Sequence, residues 1–432
     1  MLEQLLTSIG EHFAGLPDAR KASNNQRYTV KDAVLSAFSV FFMQSGSFLA
    51  HQRDMQRSKG RSNAMSLFGV HQIPSDNQIR NILDPIAPSA LGECFWLVYE
   101  QMGEQGQLTK HVGIDNNVLC ALDGVEYFSS KAISCAQCST RQHSETITYS
   151  HAVIAPVLVA PHDSYVVSLE PELIQPQDGT EKQDCEQNAI KRWIQRNAQR
   201  LPQRRTTILT DDLHSRQPFC QLLLDHQLNF ILVCLPDSHP TLYEEIALLA
   251  HNNLLNTLTE QVWNGRFRER HTYRYTSQVP LRSGTDALLV NWFELTITHA
   301  QTGERLYRNA FITNLAVSDA RMRPLAQSGR ARWKTENENH NTLKHLGYHL
   351  EHNFGHGQQF LAAFLVTLNL LAFLLHTVLE LSEPKVQAIR LALATRLTFF
   401  NDLRALTRYF YFASWHDLWD FMFTQLELGA SP

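Results

Sequence analysis

Between residues 118 and 236 the sequence lays down five short apolar runs interrupted by two segments of helical spacing, and that alternation sets the fold class. VLCALDGVEYF (118–128), YSHAVIAPVLVAP (149–161) and SYVVSLEPELI (164–174) are rich in β-branched residues and read as strands. EKQDCEQNAIKRWIQRNAQRL (181–201) places apolar residues at helical intervals. TTILTDDL (206–213) reads as a strand, PFCQLLLDHQ (218–227) as a helix and NFILVCLP (229–236) as another buried strand. Strand, strand, strand, helix, strand, helix, strand predicts an α/β layered protein.

The flanks differ in character. Residues 1–110 read as helical: VKDAVLSAFSVFFMQ carries a broad apolar stripe, and SDNQIRNILDPI starts at a Ser/Asp cap and stops at Pro85. Between them lies a basic connector, HQRDMQRSKGRSNAM, in which Arg53, Arg57, Lys59 and Arg61 face only Asp54. It suits a phosphate backbone as well as it suits solvent. Residues 237–315 break the α/β pattern with antiparallel strand signals and turns at Asn264-Gly265 and Thr302-Gly303. The stretch FLAAFLVTLNLLAFLLHTVLEL (360–381) is long enough to span a bilayer, but Asn369 and His376 interrupt it, so a buried core helix and no membrane are expected. The resulting division is a helical DNA-binding region (1–110), a core in two parts (111–236 and 316–382) around a β-rich insertion (237–315), and a helical tail (383–432).

Composition excludes little beyond the extremes. With 432 residues the chain can bury a large core, and a net charge of −4 rules out binding nucleic acid by overall charge while leaving room for local basic grooves. Seven cysteines without framework spacing, behind a start (MLEQLLTSIGEHF) that lacks a basic n-region, suggest reduced thiols in a cytoplasmic protein.

Two aspartates sit inside apolar runs, where an unpaired charge is costly. Asp123 is central in the first run, and Asp211, followed by Asp212, ends the fourth. Asp211 directly closes the apolar run and is preferred over its neighbour. A third acid, Glu336, opens a helix in RWKTENENHNTLKHLGYHLEHNFGHG (332–357), with Glu338 and Glu351 as alternatives. Carboxylates suit Mg²⁺ or Mn²⁺, and paired ions clamp the attacking and leaving oxygens of a phosphodiester.

In combination, LDGVEYFSS around Asp123, ILTDDLHSRQPF around Asp211, and FITNL (311–315) leading to Arg332, Trp333 and Glu336 resemble the DDE transposases of bacterial insertion sequences. More narrowly, they resemble the IS-four-like group whose helix carries Arg-Trp-x-x-Glu. The resemblance covers most of residues 115–380. It implies an RNase H-like core with an inserted β-domain, and a magnesium enzyme that cuts its element's ends in double-stranded DNA and joins them to a target. It also implies a homodimer that pairs two ends, and a nucleoid-associated location. A nuclease without strand transfer and an inactive DNA-binding relic are the alternatives. The group's signature is Tyr-x2-Arg-x3-Glu-x6-Lys. Here Gly329 stands in the tyrosine position and Lys344 falls one residue late, which turns it about 100° around a helix.

There are three basic runs, Lys191 to Arg205, Arg266 to Arg274 (including Arg268) and Arg321 to Lys334; the last two contain or border Trp263, Phe267, Tyr273, Tyr275 and Trp333, which suits DNA contact. Cys135 and Cys138 form Cys-x-x-Cys, half of a zinc site whose other half would come from His143, His151 or Cys185. His345, His349, His352 and His356 fall at helical intervals and read as a single stripe beside the site.

Overall fold

Each of the first three apolar runs is divided between two sheets. In the computed structural model, which describes residues 2–21, 26–55, 62–176 and 184–429, the strands are β1 (Val118–Ala121), β2 (Gly124–Ser130), β3 (Ser139–His143), β4 (Thr146–Ile154), β5 (Val157–Ala160), β6 (Asp163–Ser168) and β7 (Glu172–Ile174). They continue with β8 (Thr206–Thr210), β9 (Asn229–Val233), β10 (Asn256–Trp263), β11 (Arg268–Pro280), β12 (Leu289–His299) and β13 (Arg305–Thr313). Pro156 and Pro171 interrupt the second and third runs, because proline has no N–H for the ladder. The first run divides at Asp123. Asp123 is therefore not the middle of a strand, as its apolar neighbours suggested, but the link from β1 to β2.

The larger sheet is mixed, with order β10-β11-β12-β13-β9-β8-β1-β5-β6. β6, β5 and β1 are antiparallel, β8 and β9 run parallel to β1, and β13 returns antiparallel to β9 with Ile312 opposite Leu232. The residue 237–315 segment therefore extends the core sheet rather than forming a separate layer. Its last strand is fully buried from Ala310 to Thr313, and burying that apolar end against β9 is what attaches the segment. The smaller sheet pairs β4 with β2 on one edge and with β3 and β7 on the other.

Helices from the two ends of the chain share one apolar core with the helix Leu361–Ser382. Helix Val30–Phe42 is buried except at Lys31 and Asp32, and packs against Leu361–Ser382. Buried in this way, that helix is part of the protein's core. Phe42, Phe68 and Trp415 meet edge-on at 5.1–5.7 Å. Asn63 donates to the carbonyls of Thr407 and Phe410 and accepts from the Phe412 N–H, fastening the tail to the amino-terminal helices. Arg57, Lys59 and Arg61 of the basic connector lie outside the described residues; Asp54 pairs with Arg408 at 2.8 Å.

Among the described residues one helix, Leu361–Ser382, is long and apolar enough to cross a membrane, and 94% of its most apolar window is buried in the protein. Its polar interruptions have local partners. Asn369 donates to the Tyr348 carbonyl, and His376 donates from Nε2 to the Phe42 carbonyl and accepts the Tyr348 hydroxyl at Nδ1. Asp84 accepts from the N–H groups of Gln358 and Gln359 in the preceding loop and from that of Leu361, a donor that the start of this helix leaves open.

Candidate active site

Strand register brings the two aspartates together. β1 and β8 are adjacent and parallel with Ala121 opposite Leu209, and two residues further along each chain stand Asp123 and Asp211. Ligand sites form at such carboxyl ends of parallel strands, where backbone groups leave the ladder and side chains point outward. The Gly124 N–H donates to Asp123 Oδ1 at 3.0 Å, and the Leu213 N–H to Asp211 Oδ1 at 3.1 Å, fixing both carboxylates. Asp212 is committed elsewhere. It accepts from the Leu235 N–H at 2.7 Å and the Ser238 hydroxyl at 2.6 Å, so Asp211 is the acid left facing the site.

Glu336 comes from the chain that follows β13. After β13, helix Asp319–Arg330 leads through a tight turn (Ala331–Trp333) into a π-helical segment, Thr335–His340, packed on β5 and β6. π-helical turns are rare and recur at functional sites. Arg332 lies between the acids, 3.0 Å from Glu336 Oε1 and 3.6 Å from Asp123 Oδ2. Of the alternative acids, Glu338 acts on Lys334, and Glu351 pairs with Lys344 at 2.7 Å.

Two members of the cluster were not legible in sequence. Glu186, the first residue of helix Glu186–Asn197, approaches so closely that a Cβ on Gly124 would lie 2.7 Å from its Oε2. It also pairs with buried His214 at 3.2 Å, and His214 lies 3.8 Å from Asp211. The glycine after Asp123 was the one available sign, since it marks a close approach. His340 is the other; its Nε2 is buried without a protein partner.

The electrostatics follow from this crowding. Burial is the main cause that raises the Asp123 carboxyl to about 6; Arg332 opposes the rise, while Glu186, Asp211 and Glu336 add to it. Asp211 is also raised, by burial first, against the pull of His214. Burial lowers His340 to about 4, leaving a neutral imidazole at neutral pH. An all-oxygen, negatively charged donor set whose single close guanidinium does not restore Asp123 to its ordinary value fits a hard divalent cation in charge and donor type. Among the described residues these carboxylates do not converge into a common ligand set; the four donor atoms that do belong to Cys135, Cys138, His151 and His356.

The histidine stripe does not form. The helix ends at His345, and Gly347 (φ +105°) and His349 (φ +50°) turn the chain into a loop. Positive φ ends the helix, so the four imidazoles do not share a face. The basic runs are also partly consumed internally. Arg192 and Arg196 pair with Glu172, Arg200 with Glu93, and the buried Lys334 donates to the Asp163 carbonyl. Exposed groups remain at the β10–β11 hairpin, with Trp263 63% exposed beside Arg266 and Arg268, and at Trp333, 45% exposed beside Arg332.

Gly329 explains one departure from the signature. It is buried against β9 and β13, where a Cβ would stand 3.0 Å from both Ile231 Cγ2 and Phe311 Cε1. A tyrosine does not fit there without displacing the sheet. Gly329→Tyr is expected to lose about 3 kcal/mol or more by overpacking. An unchanged urea midpoint would show that the sheet yields to the ring.

No protein-family model matches the chain, and neither does any of the curated proteins compared with it.

Proposed function

We propose that this chain is a DDE transposase with an RNase H-like core, in which Asp123, Asp211 and Glu336 hold Mg²⁺ or Mn²⁺ and cut and join DNA. The observation that carries the reading is the β1–β8 register, which sets two aspartates from distant sequence side by side while Arg332 binds Glu336 against them. The core strands β1, β5, β6, β8 and β9, numbered in chain order, lie third, second, first, fourth, fifth, joined by two antiparallel and then two parallel pairings, and this supports the RNase H-like reading.

A divalent cation, when bound, stabilises charge on phosphodiester oxygens and lowers the pKa of an attacking water. The chain's own groups position the rest. Arg332 offers a guanidinium to a phosphate once the carboxylates are neutralised, and Trp333 offers a face for an unstacked base. Arg266, Arg268 and Trp263 extend the DNA contact along the hairpin, and Lys344 adds a cation after the Glu336 segment. Pairing of two element ends calls for a homodimer on DNA.

The test is cleavage of duplex DNA carrying the terminal repeats of the chain's own element, with Mg²⁺ or with chelator. Wild type is expected to cut only with metal and to give joined products. Glu336→Gln, at a half-exposed ligand, is expected to cut on the order of 100-fold more slowly. Equal rates for the two proteins would remove Glu336 from the site. Cutting without joining would make the protein a nuclease, and DNA binding without cutting would leave an inactive relic.

A further inference from the structure

We propose that Cys135, Cys138, His151 and His356 form a tetrahedral zinc site that ties the smaller sheet to the loop following the Glu336 segment. This site is independent of the carboxylates and does not rest on the transposase reading.

The four donor atoms lie within 4.8 Å of one another. Cys135 Sγ and Cys138 Sγ are 3.8 Å apart, and His151 Nε2 is 3.5 and 3.4 Å from them. His356 Nε2 lies 3.7 Å from Cys138 Sγ. A tetrahedron with Zn–S and Zn–N bonds of ordinary length has S···S edges of about 3.8 Å and S···N edges of about 3.6 Å. The observed spacings are those edges. They are too long for a disulfide, and all seven cysteines are free.

The surroundings are those of a structural site. The cysteines lie in the connection between β2 and β3, His151 in β4, and His356 more than 200 residues away in the loop before Leu361–Ser382. Tyr127 stacks on His151 at 5.6 Å and Phe128 packs on His356 at 4.5 Å, walling the cluster with aromatic rings. The Cys135 N–H points to Cys138 Sγ at 3.4 Å, as a thiolate favours. Two thiols and two imidazoles select zinc over the magnesium expected at the carboxylates. Binding converts two thiols to thiolates and releases two protons, with no change of oxidation state. Of the earlier alternatives, His143 and Cys185 are exposed and outside the cluster.

The mechanical consequence is specific. β2 begins immediately after Asp123, and residues 346–360 join the Glu336 segment to the long helix without regular secondary structure. An ion shared between them would hold both sides of the carboxylate cluster in one frame.

Elemental analysis of the full chain purified from zinc-supplemented medium is expected to give one zinc per chain. Cobalt exchanged into the site should show the intense d–d bands of a tetrahedral centre and a thiolate-to-cobalt charge-transfer band. Cys138→Ser and His356→Ala should each lose stoichiometric zinc, whereas Cys185→Ser and His143→Ala should retain it. Should the ligand variants misfold, wild type still decides the matter: chelation should make two further thiols reactive toward a disulfide reagent. Absence of zinc after reconstitution, a cobalt spectrum without the thiolate band, or full zinc retention in Cys138→Ser would overturn the proposal.

Discussion

Asp123→Asn is expected to lower Mg²⁺-dependent DNA cleavage by on the order of 10³-fold or more and, at pH 7.5 without metal, to make the protein more stable. Both effects come from the same burial. The folded protein holds the Asp123 carboxyl near 6, above the ordinary aspartate value, so its folded state binds a proton more tightly than the unfolded chain does. The stability associated with this group is fully present below about pH 4 and is lost as pH rises through about 6, because the folded state must then carry a buried anion. That loss amounts to about 1–3 kcal/mol at pH 7.5, taking into account that neighbouring acids share the field. Asparagine keeps the acceptor for the Gly124 N–H while removing the charge. The gain in melting temperature should therefore appear above pH 6 and vanish near pH 4. Adding Mg²⁺ should reverse the order of the two proteins, since the cation binds the folded wild type and stabilises it by mass action. If Asp123→Asn melts below wild type at pH 7.5 in chelator, the carboxylate is not a strained group. If Mg²⁺ leaves the wild-type transition unmoved, the divalent site itself is wrong.

How much of this could be read from the sequence depends on the range of the interaction. The α/β alternation was legible because strand and helix periods are local, and so was the buried reading of Leu361–Ser382, whose Asn369 and His376 announced polar partners. Asp123 and Asp211 stood out because apolar neighbours make a charge conspicuous. The division of one apolar run between two sheets was not legible at Asp123, since no proline marks it. Glu186 escaped notice because its approach to Asp123 is tertiary, carried by a helix distant from Asp123 along the chain. His356 escaped for a similar reason: its partners Cys135 and Cys138 are over 200 residues away, and the apparent helical stripe drew it toward His345 and His349 instead. Periodicity misled there because Gly347 permits a backbone turn that spacing alone does not register.

Glu380→Ala is expected to be the most destabilising single substitution outside the apolar core, at about 3–5 kcal/mol. Glu380 is 8% exposed, near the end of Leu361–Ser382, and receives two guanidiniums from the tail: Arg396 at 2.8 Å and Arg390 at 3.4 Å. Arg396 also donates to the Tyr348 hydroxyl, which holds His376, so the carboxylate anchors the tail, the long helix and the loop after the Glu336 segment at once. Removing it strands two cations in a place where water reaches poorly, and Arg390 already has two nitrogens without hydrogen-bond partners. The exposed pair Lys385–Asp420 supplies the contrast: Lys385→Ala there should change stability by less than about 1 kcal/mol. Because the cost arises from stranded charge rather than from lost attraction, replacing the whole group should hurt less than replacing its acid. Glu380→Leu combined with Arg390→Met and Arg396→Met should therefore unfold at higher urea concentration than Glu380→Ala alone. A triple variant weaker than the single one would mean that the ion pairs are themselves the source of stability at this junction.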